Sequence, residues 1–492
     1  MKKKTDKVIK TKIQYSKPLS DADFNQLITM QETYRKIKSF TYHKLRNIKN
    51  FDNLNFRNIR KEWIKNGIFE QWTLPAHLKA MAVDDAIGQI KSKHSNLKIK
   101  IKQLSRENEN HSKDDEHYIA FIVSKDNLWF KVLNNKPLSE TDYWKNKDKF
   151  SILNIKKLNN YIKRQTRKFN TKMVAKSDKT MIYDSTLYKA SKGEIKLASL
   201  IPRKRIIANL TDNSIPTGNI TIVLDRDKQR IEIHSTIEVN KIDNHNDNII
   251  GVDKGFTDLL ATSSGNIYGE KVSIHIKNKS DYLSEKYKKR NKLFQIALKH
   301  KENDNLRKYN NIIKNNLGKI KMNRKKNKFN ERIKSELNYS INNMIKKEKP
   351  KEIILENLNF VSKNKKYGKK INRYLSAWQK GYLQKQLEHK SNLNNIKITL
   401  INPAYTSQVC SNCGAFGSRN GKDFICEKHG TVDADINASL NILLRKYIKD
   451  ISLFTPYKRV KIKLKRLAEA FSLYSVSTKT DISMVDFIRA NY

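Results

Sequence analysis

Cysteine is nearly absent from this chain, with 3 among 492 residues, and all three lie within 410–426. This scarcity excludes the framework of disulfides on which many small secreted domains depend. The three cysteines are grouped with the spacing of a metal site, so we expect the protein to work in a reducing, cytoplasmic compartment.

Long apolar runs are also missing. The chain begins with the basic segment Met1-Lys-Lys-Lys4, but the apolar segment that a signal peptide requires does not follow it. No run approaches the roughly 20 apolar residues of a membrane span. We therefore expect neither secretion nor a membrane partner.

Acidic residues are scarce relative to basic ones. The chain has 49 Asp+Glu against 100 Lys+Arg, a formal net charge of +51. Such a chain repels itself at neutral pH and requires a polyanion, for which nucleic acid is the usual candidate. The length predicts roughly two to four domains. A hydrophobic content of 38% predicts an open molecule with charged grooves rather than a compact enzyme.

The positive charge is dense over residues 271–350, which hold 24 Lys+Arg and 7 Asp+Glu. A solvated helical face is one interpretation of such a segment. A groove that holds a nucleic-acid backbone is the other. On the second interpretation, the residues expected to contact phosphates are Lys288, Lys289, Arg290, Arg324, Lys325 and Lys326.

Hydrophobic periodicity divides the chain before residue 249 into helices and strands. Residues 181–242 are rich in β-branched residues and turn formers, which predicts a small β-barrel with a hairpin over 219–237. Alternation predicts a further strand over 8–16. The remaining predictions are helices over 20–47, 63–72, 78–91 and 150–175, with a polar loop over 105–117.

From residue 249 the pattern gives three strands, a helix, a strand, a helix, a strand and a helix, which is the element order of the RNase H fold. The strands are predicted over 249–253, 257–262, the residues after the turn 263–266, 353–358 and 396–401. The helices are the basic stretch, one through Trp378 and Leu387, and a last one over 436–447.

Three carboxylates fall where that fold needs them. Asp253 ends the first strand, Glu356 lies on the strand after the long helical stretch, and Asp435 opens the final helix. Converging there, they would hold two divalent hard cations, one to activate a water and one to stabilise the leaving oxygen of a phosphodiester. Asp435 taken alone is also a candidate helix cap.

Four residues beside Asp435 have the spacing of zinc ligands. Cys410 and Cys413 form one pair, Cys426 and His429 form the other, and two residues separate the members of each. Four protein ligands leave no open position, so we expect a structural zinc rather than a catalytic one. Unrelated cysteines in a loop would not be expected to place a histidine in the fourth position.

These motifs together resemble a known family. The segments that carry the resemblance are Ile250-Gly-Val-Asp253-Lys-Gly255, Ile354-Leu-Glu356-Asn-Leu358, Pro403–Gly414 and Asp433–Ile442. They are similar to the split RuvC nuclease of TnpB proteins and, equally, to the compact type V CRISPR effectors. The resemblance is specific over about 249–447 and looser over 1–248, where only the order of elements matches.

The resemblance implies a multidomain α+β protein in which an RNase H-like RuvC domain with a zinc-binding insertion accompanies a wedge β-barrel and a helical recognition lobe. It makes Asp253, Glu356 and Asp435 the catalytic ligands of two magnesium ions. The expected division is a wedge barrel over 1–18 and 171–248, a recognition lobe over 19–170, RuvC parts I and II over 249–402, a zinc-binding target-nucleic-acid-binding loop over 403–432, RuvC part III over 433–450, and a tail over 451–492.

This sequence departs from the family pattern at two positions. His429 stands where the family commonly has a fourth cysteine, and imidazole is an equally good zinc ligand. Ala434 stands where many relatives carry an arginine between two aspartates. Neither departure removes a metal-binding carboxylate.

The function implied is that of an RNA-guided DNA endonuclease, with a guide RNA and double-stranded target DNA as partners. The guide selects the sequence by base pairing, while the protein reads a short flanking motif. The alternatives are a nuclease-dead RNA-guided repressor, a guide-independent RuvC nuclease or transposase, and a structural RNA-binding protein. The sequence leaves open whether a CRISPR array or a transposon end supplies the guide, and which residues read the flanking motif. It also leaves open whether the protein is a monomer or a homodimer, and whether 451–492 is a docked helix or disordered.

Overall fold

A computed structural model describes residues 7–45, 54–139, 147–175, 179–242, 247–358, 368, 372–374, 380–478 and 484–491. The chain divides into two compact units, one of Ile9–Val239 and one that consists mainly of Asn240–Tyr492. The basic start Met1–Lys4 and Trp378 lie outside the described residues.

The first unit begins with strand β1 (Lys7–Tyr15) and continues as a set of amphipathic helices. In the first helix, Leu27, Met30, Tyr34 and Ile37 are buried at intervals of three or four residues, which makes an apolar stripe that faces the core. The helices are α1 (Asp21–Leu45), α2 (Phe56–Lys65), a short 3-10 helix (Ile68–Gln71), α3 (Ala76–Arg106), α4 (Lys113–Ser124), α5 (Asp126–Leu133), α6 (Lys147–Ser151) and α7 (Ile155–Phe169).

The helix predicted over 63–72 is wrong in its second half. Helix α2 ends at Lys65, and Gly67 adopts a left-handed conformation with φ of 63° before the short 3-10 helix. Glycine takes this conformation without steric cost, so the sequence stops the helix there. The helix predicted over 78–91 extends to Arg106 in the structure.

In its described residues the first unit also has the strands β1 (Lys7–Tyr15), β2 (Thr180–Tyr183), β3 (Tyr188–Ser191), β4 (Glu194–Ala198), β5 (Arg205–Asn209), β6 (Ile220–Asp225) and β7 (Arg230–Asn240). They form one sheet in the order β1-β7-β6-β2 and another in the order β3-β4-β5. An antiparallel bridge joins Ser16 to Leu210, so the two sheets meet at one corner. The predicted hairpin is confirmed as the antiparallel pair of β6 and β7.

The second unit is built on a five-stranded sheet with the order β10-β9-β8-β11-β12. Its strands are β8 (Ile249–Asp253), β9 (Leu260–Thr262), β10 (Ile267–Tyr268), β11 (Glu352–Glu356) and β12 (Lys397–Ile401). The strands β8, β11 and β12 are parallel, while β9 and β10 pair antiparallel at one edge. The predicted strand over 257–262 starts three residues too early, because residues 256–259 form a bend that places Asp258 inside, 2% exposed.

Helices cover both faces of this sheet. They are α8 (Lys271–Glu302), α9 (Leu306–Asn311), α10 (Ile320–Glu348), α11 (Lys380–Leu393) and α12 (Ala434–Arg445). Val252 and Leu355 pack on one face in a core shared with α8, α10 and α11. Ile354 packs on the other face against Ile442 and Leu443 of α12. The predicted order of strands and helices is thus found, with the basic stretch folded as two long helices rather than one.

Gly251 allows α12 to approach β8 closely. A Cβ atom at this position would lie 2.2 Å from the carbonyl oxygen of Ser439 and 2.6 Å from the amide nitrogen of Leu443. Real Cβ atoms do not come this near to backbone atoms. The glycine in the Ile250-Gly-Val-Asp253 segment therefore serves helix-to-strand packing.

A small antiparallel sheet and two helices complete the second unit. The strands β13 (Ser418–Asn420), β14 (Asp423–Cys426) and β15 (Gly430–Asp433) form a ribbon. Helices α13 (Tyr457–Thr478) and α14 (Met484–Asn491) share a core with this ribbon through Leu464, Phe471 and Phe487. The described part of the tail is therefore docked. Among the described residues, no helix has the length and apolar character needed to cross a membrane.

Candidate functional site

Asp253 and Glu356 lie side by side at one edge of the five-stranded sheet. Asp253 is the last residue of β8 and Glu356 the last of β11, and the preceding residues Val252 and Leu355 are paired across the two parallel strands. Val252 and Leu355 face the core formed with α8, α10 and α11. Because side chains alternate along a strand, the two carboxylates point to the opposite face, where α12 lies.

Asp435 reaches the same place from the first turn of α12. The N-cap of this helix is Asp433, whose Oδ1 accepts hydrogen bonds of 2.9 Å from the backbone amides of Asp435 and Ile436. Asp435 is 6% exposed and is not the cap. The alternative role as a helix cap thus falls to Asp433, and Asp435 is left for another task.

The three carboxylates act on one another electrostatically. Burial, and after it the negative charges of Glu356 and Asp435, together raise the pKa of Asp253 to about 8, while the charge of Arg419 opposes them. The oxygen donors and the excess of negative charge fit hard divalent cations such as magnesium.

Neighbouring residues fix Glu356. The Thr406 hydroxyl donates a hydrogen bond to Glu356 Oε1. The buried Lys254 ammonium lies 3.4 Å from the Glu356 carbonyl oxygen and donates to Gln384 on α11 at 2.8 Å. Glu356 is thus oriented both through its carboxylate and through its backbone.

Two cations of the ribbon reach the acidic cluster. Arg419 on β13 donates to Asp435 Oδ1 at 2.6 Å, and Lys422 pairs with the buried Asp258 at 2.6 Å. Sequence reasoning assigned no role to either residue, since a lone basic residue in a polar loop gives no signal of its own. Arg419 thus brings a guanidinium to the carboxylate of Asp435, the residue that follows Ala434.

The structure brings the four predicted zinc ligands together. The Cys410 Sγ to His429 Nδ1 distance is 3.7 Å, Cys413 Sγ to Cys426 Sγ is 3.7 Å, and Cys426 Sγ to His429 Nδ1 is 3.6 Å. Thiolates about 2.3 Å from a tetrahedral zinc are about 3.8 Å apart, so these separations fit one ion. The cysteines are buried and His429 is exposed.

Helix α12 holds the first zinc-ligand pair through a polar stripe that the sequence reasoning did not recognise. Asn437 donates to the Val409 carbonyl at 2.9 Å and accepts from the Ser411 amide at 2.8 Å. Asn441 donates to the carbonyls of Thr406 and Val409. The repeat of polar residues at every fourth position from Asn437 is the signal that would have revealed this stripe.

Arg445 continues the stripe one turn later. Its guanidinium donates to the carbonyls of Asn402 and Ala404 at 3.1–3.2 Å. Burial lowers the pKa of Arg445 to about 10, against the opposing effect of Glu356, so the side chain stays charged at neutral pH. The helix that carries Asp435 therefore also positions the loop that carries Thr406.

The six predicted phosphate-contacting residues lie on α8 and α10. Lys288 and Lys289 are exposed, and Lys289 pairs with Glu285 at 2.6 Å. Arg290 instead donates to the carbonyls of Leu317 and Gly318, so it secures the connection between the two helices. The other three, Arg324, Lys325 and Lys326, are exposed on α10.

One region of the chain matches a known family. Residues 381–442 match the model of the family described as Cas12f1-like, TNB domain. In this chain the matched residues run from α11 through the four zinc ligands to α12 and include Asp435.

Two curated proteins are similar over shorter segments. The TnpB-like protein aq_aa05 of Aquifex aeolicus (strain VF5) is 30% identical over 95 residues, which are 18% of this chain and 31% of that protein. The CRISPR-associated endodeoxyribonuclease Cas12f1 of Sulfoacidibacillus thermotolerans is 38% identical over 84 residues, which are 16% of this chain and 20% of that protein. The matches thus span less than a third of the length of these relatives.

A solved structure is also similar. A chain in the cryo-EM structure of the Cas12f1-sgRNA-target DNA complex aligns over 89% of this chain and 99% of its own length, with a TM-score of 0.38 and 15% identity. Because that score is low, the conclusion rests on the sequence matches. The family model and the two curated proteins confirm the resemblance predicted from the motifs: part of this chain is similar to a TnpB-like protein and to a compact type V CRISPR effector.

Proposed function

We propose that the protein is an RNA-guided DNA endonuclease that hydrolyses phosphodiester bonds at the cluster of Asp253, Glu356 and Asp435. The observation that carries this proposal is the meeting of three carboxylates at the ends of two parallel strands and the start of one helix. The strand order β10-β9-β8-β11-β12 is that of an RNase H-like sheet, and it supports the assignment to a RuvC nuclease. The name of one curated relative, an endodeoxyribonuclease, supports DNA as the substrate.

In this proposal the carboxylates and the residues around them have different tasks. Two magnesium ions held by the carboxylates would activate a water and stabilise the leaving oxygen. Thr406 keeps the Glu356 carboxylate in position, and Asn441 in turn holds the backbone of Thr406. Arg419 lies against Asp435, where its guanidinium is suited to pair with an incoming phosphate.

The proposed partners are a guide RNA and a double-stranded DNA target. A net charge of +51 supports strong binding to nucleic acid of any sequence, so charge alone gives no selectivity. Selection of the target by guide pairing next to a short flanking motif is what the family resemblance adds. The zinc site is proposed to be structural, because four protein ligands leave no position open for a substrate.

The first experiment measures cleavage of a DNA duplex by the protein together with the RNA that copurifies with it. Glu356→Gln and Asp435→Asn are each expected to abolish cutting in magnesium, while RNA binding remains. Asp433→Asn is the matched control, since it makes the same chemical change two residues away. Asparagine also caps helices well, so the control should keep both α12 and cutting. Normal cutting by the Glu356→Gln protein would remove the active-site assignment.

The second experiment tests guidance. Changing the guide sequence should move the cut, and mismatches near the flanking motif should prevent cutting more strongly than distant ones, since pairing starts there. If RNA-free protein cuts random duplexes as well as the loaded complex does, the protein is a guide-independent nuclease. If the loaded complex binds its target without cutting, the repressor alternative stands.

A further inference from the structure

We propose that the outward face of α13 binds the phosphate backbone of the DNA strand that is cut. This inference rests on the proposed function and concerns a helix outside the matched residues 381–442. The face, which we name the α13 cationic face, consists of Lys458, Arg459, Lys461, Lys465 and Arg466, all of them exposed.

Packing fixes which side of α13 faces outward. Val460, Leu464, Leu467 and Phe471 recur at intervals of three or four residues and are all buried in the core shared with the ribbon. The opposite side must therefore face away from the ribbon. The five cations lie on that side or on its flanks, so packing does not require their charge.

The charges on this face are unfavourable for the isolated helix. Lys458 and Lys461 are three residues apart, and Lys461 and Lys465 are four apart, spacings at which like charges destabilise a helix by roughly 0.2–0.5 kcal/mol per pair. The first turn has no acidic residue and holds Lys458 and Arg459, although the positive end of the helix dipole lies there. Glu469 is the one acidic residue in the helix sequence. A bound polyanion would remove both penalties.

The position of the face points to the cut strand. The ring of Tyr457, which begins α13, lies 4.0 Å from the ring of Tyr405, and the next residue, Thr406, donates to Glu356. Lys461 lies over the ring of Phe416, three residues before Arg419, which pairs with Asp435. The cationic face therefore starts beside the two chain segments that hold the carboxylate cluster, where a strand entering or leaving the cluster would pass.

The experiment measures how DNA affinity depends on salt. Lys458, Arg459, Lys461, Lys465 and Arg466 are all changed to Gln in a Glu356→Gln background, so that binding is read without cutting. The probe is a fluorescent single-stranded DNA that is not complementary to the guide, so that it stays single-stranded, and it is added to the full-length protein loaded with its RNA. If all five residues contact phosphates, the slope of log affinity against log salt should fall by about 3.5, since each contact contributes roughly 0.7 on a single strand.

Two controls separate this result from misfolding and from RNA binding. A variant with each Lys changed to Arg and each Arg changed to Lys at the same positions keeps the charge and should keep the wild-type slope. Zinc content and the thermal unfolding temperature should be unchanged in both variants, which shows that the ribbon and the core it shares with α13 still form. An unchanged slope in the Gln variant overturns the proposal, and so does a loss of RNA loading in place of DNA binding. Wild-type cutting is measured in parallel, so a failure of the nuclease assignment would be seen separately.

Discussion

The glycine beneath α12 provides a direct test of how the carboxylate cluster is assembled. In Gly251→Ala, the new Cβ would lie 2.2 Å from the Ser439 carbonyl oxygen, a backbone atom that cannot rotate away. Ordinary contacts begin at 3.4 Å, so α12 and β8 must separate by about 1 Å. Asp435 moves with α12, while Asp253 stays on β8.

This displacement should cost activity more than stability. Overpacking of this kind destabilises a protein by about 1–3 kcal/mol. A misplacement of about 1 Å among reacting groups reduces a rate on the order of 100-fold. We therefore expect Gly251→Ala to fold, to bind RNA and to retain zinc, but to cut DNA about 100-fold more slowly than the wild type.

The assay compares single-turnover cutting rates at saturating protein, with thermal unfolding measured on the same samples. Gly381→Ala on α11 is the matched control, because a Cβ there meets nothing within 4 Å. The control should cut at the wild-type rate. If Gly251→Ala also cuts at that rate, close packing of α12 on β8 does not position Asp435 and the reasoning fails.

Three further predictions concern the zinc site, Arg419 and Glu348. Elemental analysis should find one zinc per chain. The zinc should be kept in His429→Cys and lost in Cys413→Ser, because thiolate and imidazole are interchangeable ligands but a hydroxyl is a poor one. Zinc-free wild type that cuts normally would refute a structural role. Arg419→Ala should slow DNA cutting at least tenfold with RNA binding unchanged, whereas Arg419→Lys should recover part of the cutting rate. Equal cutting rates for the two variants would show that the charge beside Asp435 has no role. Burial raises the pKa of Glu348, but hydrogen bonds from Tyr268, Ser264, Asn266 and Thr262 outweigh it and hold this pKa below 4.5. Glu348→Gln should therefore reduce the free energy of unfolding by about 1.5–3 kcal/mol at pH 7. In urea titrations, this difference in the free energy of unfolding between wild type and variant should shrink as the pH falls below 4.5. A difference that does not depend on pH would contradict this prediction.

The sequence alone predicted the residues on which the chemistry proposed for the second unit depends. Soft ligands in pairs separated by two residues predicted the cysteine–histidine cluster that the structure forms around Cys410 and His429. The hydrophobic runs predicted the order of strands and helices, because burial on both faces requires continuous apolar segments such as Ile353–Leu355. Position at the end of such a segment then identified Asp253 and Glu356 as neighbours across parallel strands.

Other features of the structure depend on contacts between residues far apart in the chain, and the hydrophobic periodicity of the sequence does not predict such contacts. Whether Asp433 or Asp435 caps α12 was settled by the backbone geometry of the helix start. The described part of the tail is docked because apolar residues of α13 and α14 pack against apolar residues of the ribbon in one core. Arg419 and Lys422 became part of the acidic cluster because the ribbon folds back over it.

The sequence by itself therefore determined which residues are able to bind metal and in what order the elements that carry them occur, because ligand chemistry and apolar periodicity are local properties of a chain. The tertiary structure alone decided which charges face one another, from the pairing of Arg419 with Asp435 to the outward orientation of the α13 cationic face. The physical reason is that electrostatic partners are chosen by distance in space, and that distance is set by packing such as the contact of Gly251 with α12.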